Sequence, residues 1–229
     1  MTYFLSFFFQ EYILHTILIC ELFLIWDMIL SAFGIQGLYY LFHAIHNIII
    51  GWKTYRNVYS AILMDEKTDQ SIDPLVFPIV YALHIYHIIK YSHYISLDEF
   101  MHHLLCLIVA IPLVCFNFEN RDLLGFSLFA STGWSTVFHY LSLFLYKNNF
   151  MSKRKTLRYN FITNTFFRSP LILFNSAFLL QYTIQKQNIS LKEIYLSFIL
   201  FSILITNALY FQYKITNKYF ESIMVHHHV

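Results

Sequence analysis

Two adjacent histidines, His102 and His103, stand between the acidic pair Asp98-Glu99 and an apolar run from Leu104 to Ala110. Ionisable side chains are costly in hydrocarbon, so a paired imidazole at the mouth of such a run needs a reason. An imidazole can act as a base or grip a polar group. Further candidates recur along the chain. His43 and His46 are three residues apart, which puts them on one helix face, and His84 and His87 repeat that spacing. His139 and Arg168 follow on later apolar segments. A lone intramembrane histidine is more often a hydrogen-bonded packing residue than a catalyst. Agreement in depth across five segments is what argues for a shared layer. His93, beside Tyr91 and Tyr94, reads as interfacial, and His226, His227 and His228 as a tail. Arg168 is the most expensive group to bury, at about 2.5–3.5 kcal/mol, and should have a lipid phosphate, an acid or backbone carbonyls as partner.

The elements that position these groups follow from composition. The chain is 58% hydrophobic, 20% aromatic and 12% charged, and its mean hydropathy is +0.53. Soluble domains carry roughly twice that charge, so an all-α, polytopic membrane bundle is expected. Five glycines and four prolines leave no room for a disordered linker, and a net charge of +2 gives no sign of nucleic-acid binding. Cys20, Cys106 and Cys115 all lie in apolar stretches, so neither a disulfide framework nor a metal site is read from them.

About 20 apolar residues cross a bilayer. Candidate spans are 11–33, 36–58, 74–92, 101–118, 123–146, 159–182 and 194–213, about seven transmembrane helices. The first is the least typical, because it carries Glu11, Glu21 and Asp27. It lacks a basic leader region and a cleavage site, and so reads as an uncleaved anchor. The expected division is an N-terminal helix over 1–35, a membrane domain over 36–213 and a short tail over 214–229. Gly34-Ile35-Gln36-Gly37 is short enough to make the first two helices a hairpin. The clearest soluble loop runs from Asp65 to Asp73, before Pro74. Lys147, Lys153, Arg154, Lys155 and Arg158 form the only dense basic cluster, which belongs in the cytosol. The C-terminus is then cytosolic, the N-terminus lumenal, and the lone sequon at Asn188 lumenal as well.

The order of these pieces resembles the TLC-domain family, shared by translocating-chain-associated proteins, ceramide synthases and related lipid proteins. Phe42-His43-Ala44-Ile45 is similar to its S-x-x-H-A helix, and Asp98 to Leu104 to its double-histidine entrance. Leu128 to Thr136 occupies the place of its acidic segment, and Phe166-Phe167-Arg168 resembles its late F-x-x-R helix. The resemblance covers about residues 36–210 and implies a six-helix barrel-like bundle in the endoplasmic reticulum membrane. The departures are specific. Relatives place a carboxylate where Gly133 aligns, and the synthases a second near Thr136; here neither is acidic, leaving Asp98 or Glu99 as the only acid near the pair.

The expectation is a protein that binds or handles membrane lipid and affects lipid composition. His102 and His103 would be catalytic if chemistry occurs, with His43, His46, His84, His87, His139 and Arg168 contacting substrate. No cofactor is expected. A ceramide-synthase-type N-acyltransferase, with acyl-CoA as substrate, is the first alternative, and a transport or cargo-escort protein the second. A di-iron lipid oxidase has enough imidazoles but lacks the clustered histidine boxes of membrane desaturases. Self-association into a homo-oligomer is left open.

Overall fold

The computed structural model describes residues 2–63, 72–115, 118–186 and 189–224. Asn188, most of the acidic loop and His226 to His228 lie outside them. Among the described residues the chain is all-α, without a strand. The elements are α1 Thr2–Ala32, α2 Leu38–Leu63, α3 Val76–Tyr91, α4 Leu97–Leu105, α5 Arg121–Thr132, α6 Trp134–Lys147, α7 Lys153–Thr163, α8 Ser169–Gln185 and α9 Leu191–Met224. A π-helical stretch, Cys106–Cys115, continues α4, and a π turn, Asn164–Arg168, joins α7 to α8.

Local chemistry sets the boundaries. Gly34 has φ +75°, and the Ile35 N–H reaches back to the Leu30 carbonyl at 3.2 Å, the left-handed ending that turns α1 into α2. Ser96 and Glu99 form a capping box that starts α4. The side chains of Asn120 and Ser152 cap α5 and α7 by accepting from the Leu123 and Lys155 N–H groups.

Three expected spans differ in detail. The fifth is broken at Gly133 into α5 and α6, and the sixth contains the π turn. The seventh does not stop at residue 213. No glycine or proline interrupts Lys214 to Met224, and Tyr219 stacks on Phe161 of α7 at 4.8 Å, so α9 continues. Among the described residues, two helical stretches, Gln10–Ala32 and Leu191–Met224, are long and apolar enough to cross a membrane by themselves. By contrast, α3 has 16 residues, roughly 24 Å of helix.

α2 packs on α5 and α6, α1 on α3, α8 on α9, and α7 between α6 and α9. The main apolar core includes Ile50, Val80, Leu124, Phe126, Ile172 and Leu179. A second core joins Cys20 of α1 to Phe42, Leu83 and Tyr86. The polar rims tie chain ends together. At one, Gln36 and Asn148 exchange two hydrogen bonds of 3.1 and 2.8 Å, and Lys214 pairs with Asp98 at 2.6 Å. At the other, Lys53 pairs with Asp73 at 2.5 Å, and the buried Glu193 carboxylate accepts from the Glu119 N–H. Meanwhile Leu14, Leu22, Trp26 and Met28 of α1, Trp52 of α2 and Leu209 of α9 lie exposed. Polarity is therefore directed inward and apolar surface outward.

Candidate functional site: a buried histidine cluster

The i, i+3 spacing of His84 and His87 turns both toward α2 and α4, where His43 and His103 meet them. All four are buried, His87 at 0% and His103 at 1% relative exposure. Ring centroids of His43 and His87 are 4.2 Å apart, and those of His87 and His103 are 4.9 Å apart. The Nδ1 atoms of His84 and His103 are 2.7 Å apart and share one hydrogen, so one ring donates and the other accepts. The π winding begins three residues past His103, and the Cys106 N–H is shared by the carbonyls of His102 and His103. Such winding often accompanies functional positions in helices.

Two tyrosines complete the cluster. Tyr39 lies one turn before His43 on the same face of α2; its hydroxyl is 3.2 Å from His103 Nε2 and its ring 4.2 Å from that of His87. Tyr140 stacks flat on His43 at 4.1 Å, with an interplanar angle of 6°. Against this, His43 Nε2 and both ring nitrogens of His87 are buried and have no hydrogen-bond partner among the described residues. Buried polar groups are normally satisfied, so these point to something the cluster accommodates. His43, His87 and His103 each offer one nitrogen, and these lie within 4.8 Å of one another, close enough to share a metal ion. The cysteines gave no sign of such a site; three helices assemble it from histidine alone.

The remaining candidates separate. His102 is half-buried and turns toward α9, edge-on to Phe211 at 6.3 Å, with Nε2 3.9 Å from Cys106 Sγ. The expected pair therefore divides only in part: His103 sits inside the cluster, while His102 stays at its edge, its ring 5.9 Å from that of His84. His46, one turn further along α2, holds Asn47 Oδ1 through Nδ1 at 2.8 Å, and Asn47 donates to Thr136 Oγ1 at 2.7 Å. Tyr140, rather than its neighbour His139, stacks on His43; His139 Nδ1 is buried without a partner among the described residues.

Arg168 is buried, but its partner is neither an acid nor a backbone carbonyl. It donates to the side-chain oxygens of Asn164 at 3.3 Å and Asn207 at 2.8 Å, and lies over the Phe211 ring at 4.5 Å. Its Nε is unpartnered among the described residues. The π turn ending at Arg168 sets this direction, with the Ser169 N–H bonded to the Asn164 carbonyl five residues back.

The side chains of Asp98 and Glu99 are engaged at the start of α4. Glu99 accepts from Ser96 in the capping box, while Asp98 accepts from the Lys214 ammonium and the Tyr210 hydroxyl. The Lys214 hydrogen bond, then those of Ser96 and Tyr210, hold the Asp98 carboxyl below the usual carboxylate range. At Gly133, an added Cβ would lie 2.4 Å from the Phe129 carbonyl oxygen, so no side chain fits there.

One residue near the cluster was noted in the sequence only as making the first span atypical. Asp27, at 0% exposure, accepts hydrogen bonds from the hydroxyls of Tyr86 and Tyr91, both at 2.5 Å, and lies 3.2 Å from Lys90 Nζ. Tyr91 in turn packs edge-on to Tyr39, 5.5 Å between centroids. The signal was present: an acid in the middle of an apolar helix must have a partner, and α3 ends in Lys90 and Tyr91. Comparison with family models, with curated proteins and with solved structures finds no match to this chain.

Proposed function

We propose that the chain is a multi-pass membrane protein of the TLC-domain type that binds a lipid by its polar head group and shifts membrane lipid composition. The observation that carries this reading is the buried histidine cluster with unpartnered nitrogens, enclosed in a bundle whose outside is apolar. Ionisable groups inside a membrane protein face its interior and mark a ligand path. Each neutral imidazole offers one donor and one acceptor, and the free Nε of Arg168 adds a cationic donor, a set suited to ester and phosphate oxygens. The two stretches able to cross a membrane alone are α1 and α9. In this reading the seven spans are α1, α2, α3, α4 with its π continuation, α5 with α6, α7 with α8, and α9, resident in the endoplasmic reticulum. The rim of Gln36, Asp98, Asn148 and Lys214 faces the cytosol.

Acyl transfer to a sphingoid amine would need a carboxylate to orient the base and support its charged form. The positions at which the resembling synthases carry acids hold a glycine without room for a side chain and a threonine bonded to Asn47. Turnover is therefore expected to be absent or slight.

Lipidomics of cells expressing the chain, against a His102→Ala/His103→Ala variant, tests the reading. A shift in phospholipid species that the variant loses supports lipid handling. A shift in N-acyl sphingolipids replaces it with acyl transfer, and an unchanged lipid profile rejects both in favour of cargo escort.

A further inference from the structure

We infer that His43, His87 and His103 form a binding site for a first-row divalent transition metal, Zn²⁺ by preference, with an open coordination position. It extends the proposed lipid-handling role without resting on it.

Three separate helices deliver the ligands: His43 from α2, His87 from α3 and His103 from α4. Their nitrogens lie within 4.8 Å of one another, so a shift of less than about 1 Å each would bring them to the roughly 2.0–2.1 Å of a zinc–imidazole bond. His87 has two buried nitrogens and His43 one, all without a partner among the described residues. Every neutral imidazole keeps one nitrogen lone pair. A cation is the ligand that all three rings can share once each turns its lone pair inward. The donor set narrows it: imidazole alone suits zinc, iron, copper or nickel, whereas calcium and magnesium take oxygen.

The surroundings have the form of a metal site's outer shell. His103 bonds His84 through Nδ1 and Tyr39 through Nε2, so metal binding exchanges one bond and keeps the other to orient the ring. Tyr140 stacked on His43 fixes that ring's plane. Three imidazoles leave tetrahedral zinc a fourth position, as catalytic sites do. A lipid phosphate or carbonyl oxygen is the ligand such a position would take in this protein.

The test uses the purified full chain in detergent, with His226, His227 and His228 replaced by alanine so that the tail cannot hold metal. After chelation and reloading with Zn²⁺ or Co²⁺, elemental analysis should find about one ion per chain, and Co²⁺ should give a tetrahedral visible spectrum. His43→Ala and His87→Ala should lower the content to about a tenth or less, while His15→Ala and His93→Ala, both exposed, leave it unchanged. Where a histidine variant fails to fold, X-ray absorption on the reloaded parent decides. Three nitrogen neighbours at about 2.0 Å support the site, and a shell of oxygen ligands overturns it. A reloaded parent without metal, or folded variants that keep it, also overturn the inference. Because no lipid enters these measurements, their failure is separate from failure of the lipidomic test.

Discussion

Asp27 shows at the scale of one residue how a polar group is kept inside an apolar helix. Its carboxylate is buried, and two phenols and one ammonium supply the interactions that water would otherwise provide. Hydrogen bonds to charged groups contribute about 1.5–3 kcal/mol, so Tyr86→Phe should lower stability by an amount of that order. Asp27→Ala removes the common acceptor of two hydroxyls while Lys90 can turn to solvent, with an expected loss of about 1–3 kcal/mol for each hydroxyl left unpaired. Thermal unfolding in detergent measures both, and an unchanged midpoint for Asp27→Ala would remove the triad's structural role. Gly133 makes the opposite case, a position where nothing can be added. Gly133→Glu brings a Cβ against the Phe129 carbonyl at the break between α5 and α6. The variant is expected to unfold at lower temperature and to show no sphingoid N-acylation when given acyl-CoA; stable protein with robust turnover would contradict that.

At the scale of elements, the π segments and the rim contacts decide where side chains point. The winding after His103 and the turn before Ser169 change the helical period, so residues that follow leave the face a regular helix would give them. Arg168 closes the second π turn, bonded to Asn164 one turn back and to Asn207 of α9. The rim contact of Asp98 with Lys214 and Tyr210 ties the start of α4, and with it the neighbourhood of His103, to α9. Asp98 has a folded-state pKa below its unfolded value, first through Lys214. Its contribution is therefore fully present above the ordinary aspartate value of about 3.9 and is lost as pH falls through the lower folded value. Comparing parent and Asp98→Asn unfolding across that acid range should show the parent's advantage shrinking as pH falls. An advantage independent of pH would mean the contact acts by shape alone. The side chains remain partly exposed, so the effect is small and should diminish with added salt.

For the whole molecule, the arrangement of the two rims makes orientation testable. Gln36 bonds to Asn148, and Asp98 to Lys214, so three turns and the continuation of α9 share one end. The basic cluster lies at that same end, which the proposed orientation puts in the cytosol. In a chain whose native cysteines are replaced, a cysteine at position 152 should react with an impermeant reagent outside intact microsomes. One at position 188 should react only after permeabilisation. The reverse pattern would invert the topology and place the histidine cluster nearer the lumen.

Sequence alone determined the all-α class, because apolar composition with few breakers leaves helices as the way to satisfy the backbone. It also located the hairpin at Gly34 and the histidines that share a face within a helix, since i, i+3 neighbours are set by helical geometry. Membership of the cluster lay beyond it. That His103 sits inside while His102 stays at the edge between His84 and Phe211, that Tyr140 rather than His139 stacks on His43, and that Asp27 joins Tyr86 and Tyr91 depend on how helices cross. Adjacent helical residues point about 100° apart, so a one-residue change of phase exchanges buried and exposed partners. Crossing geometry sets that phase, and it arises from the packing of the assembled bundle.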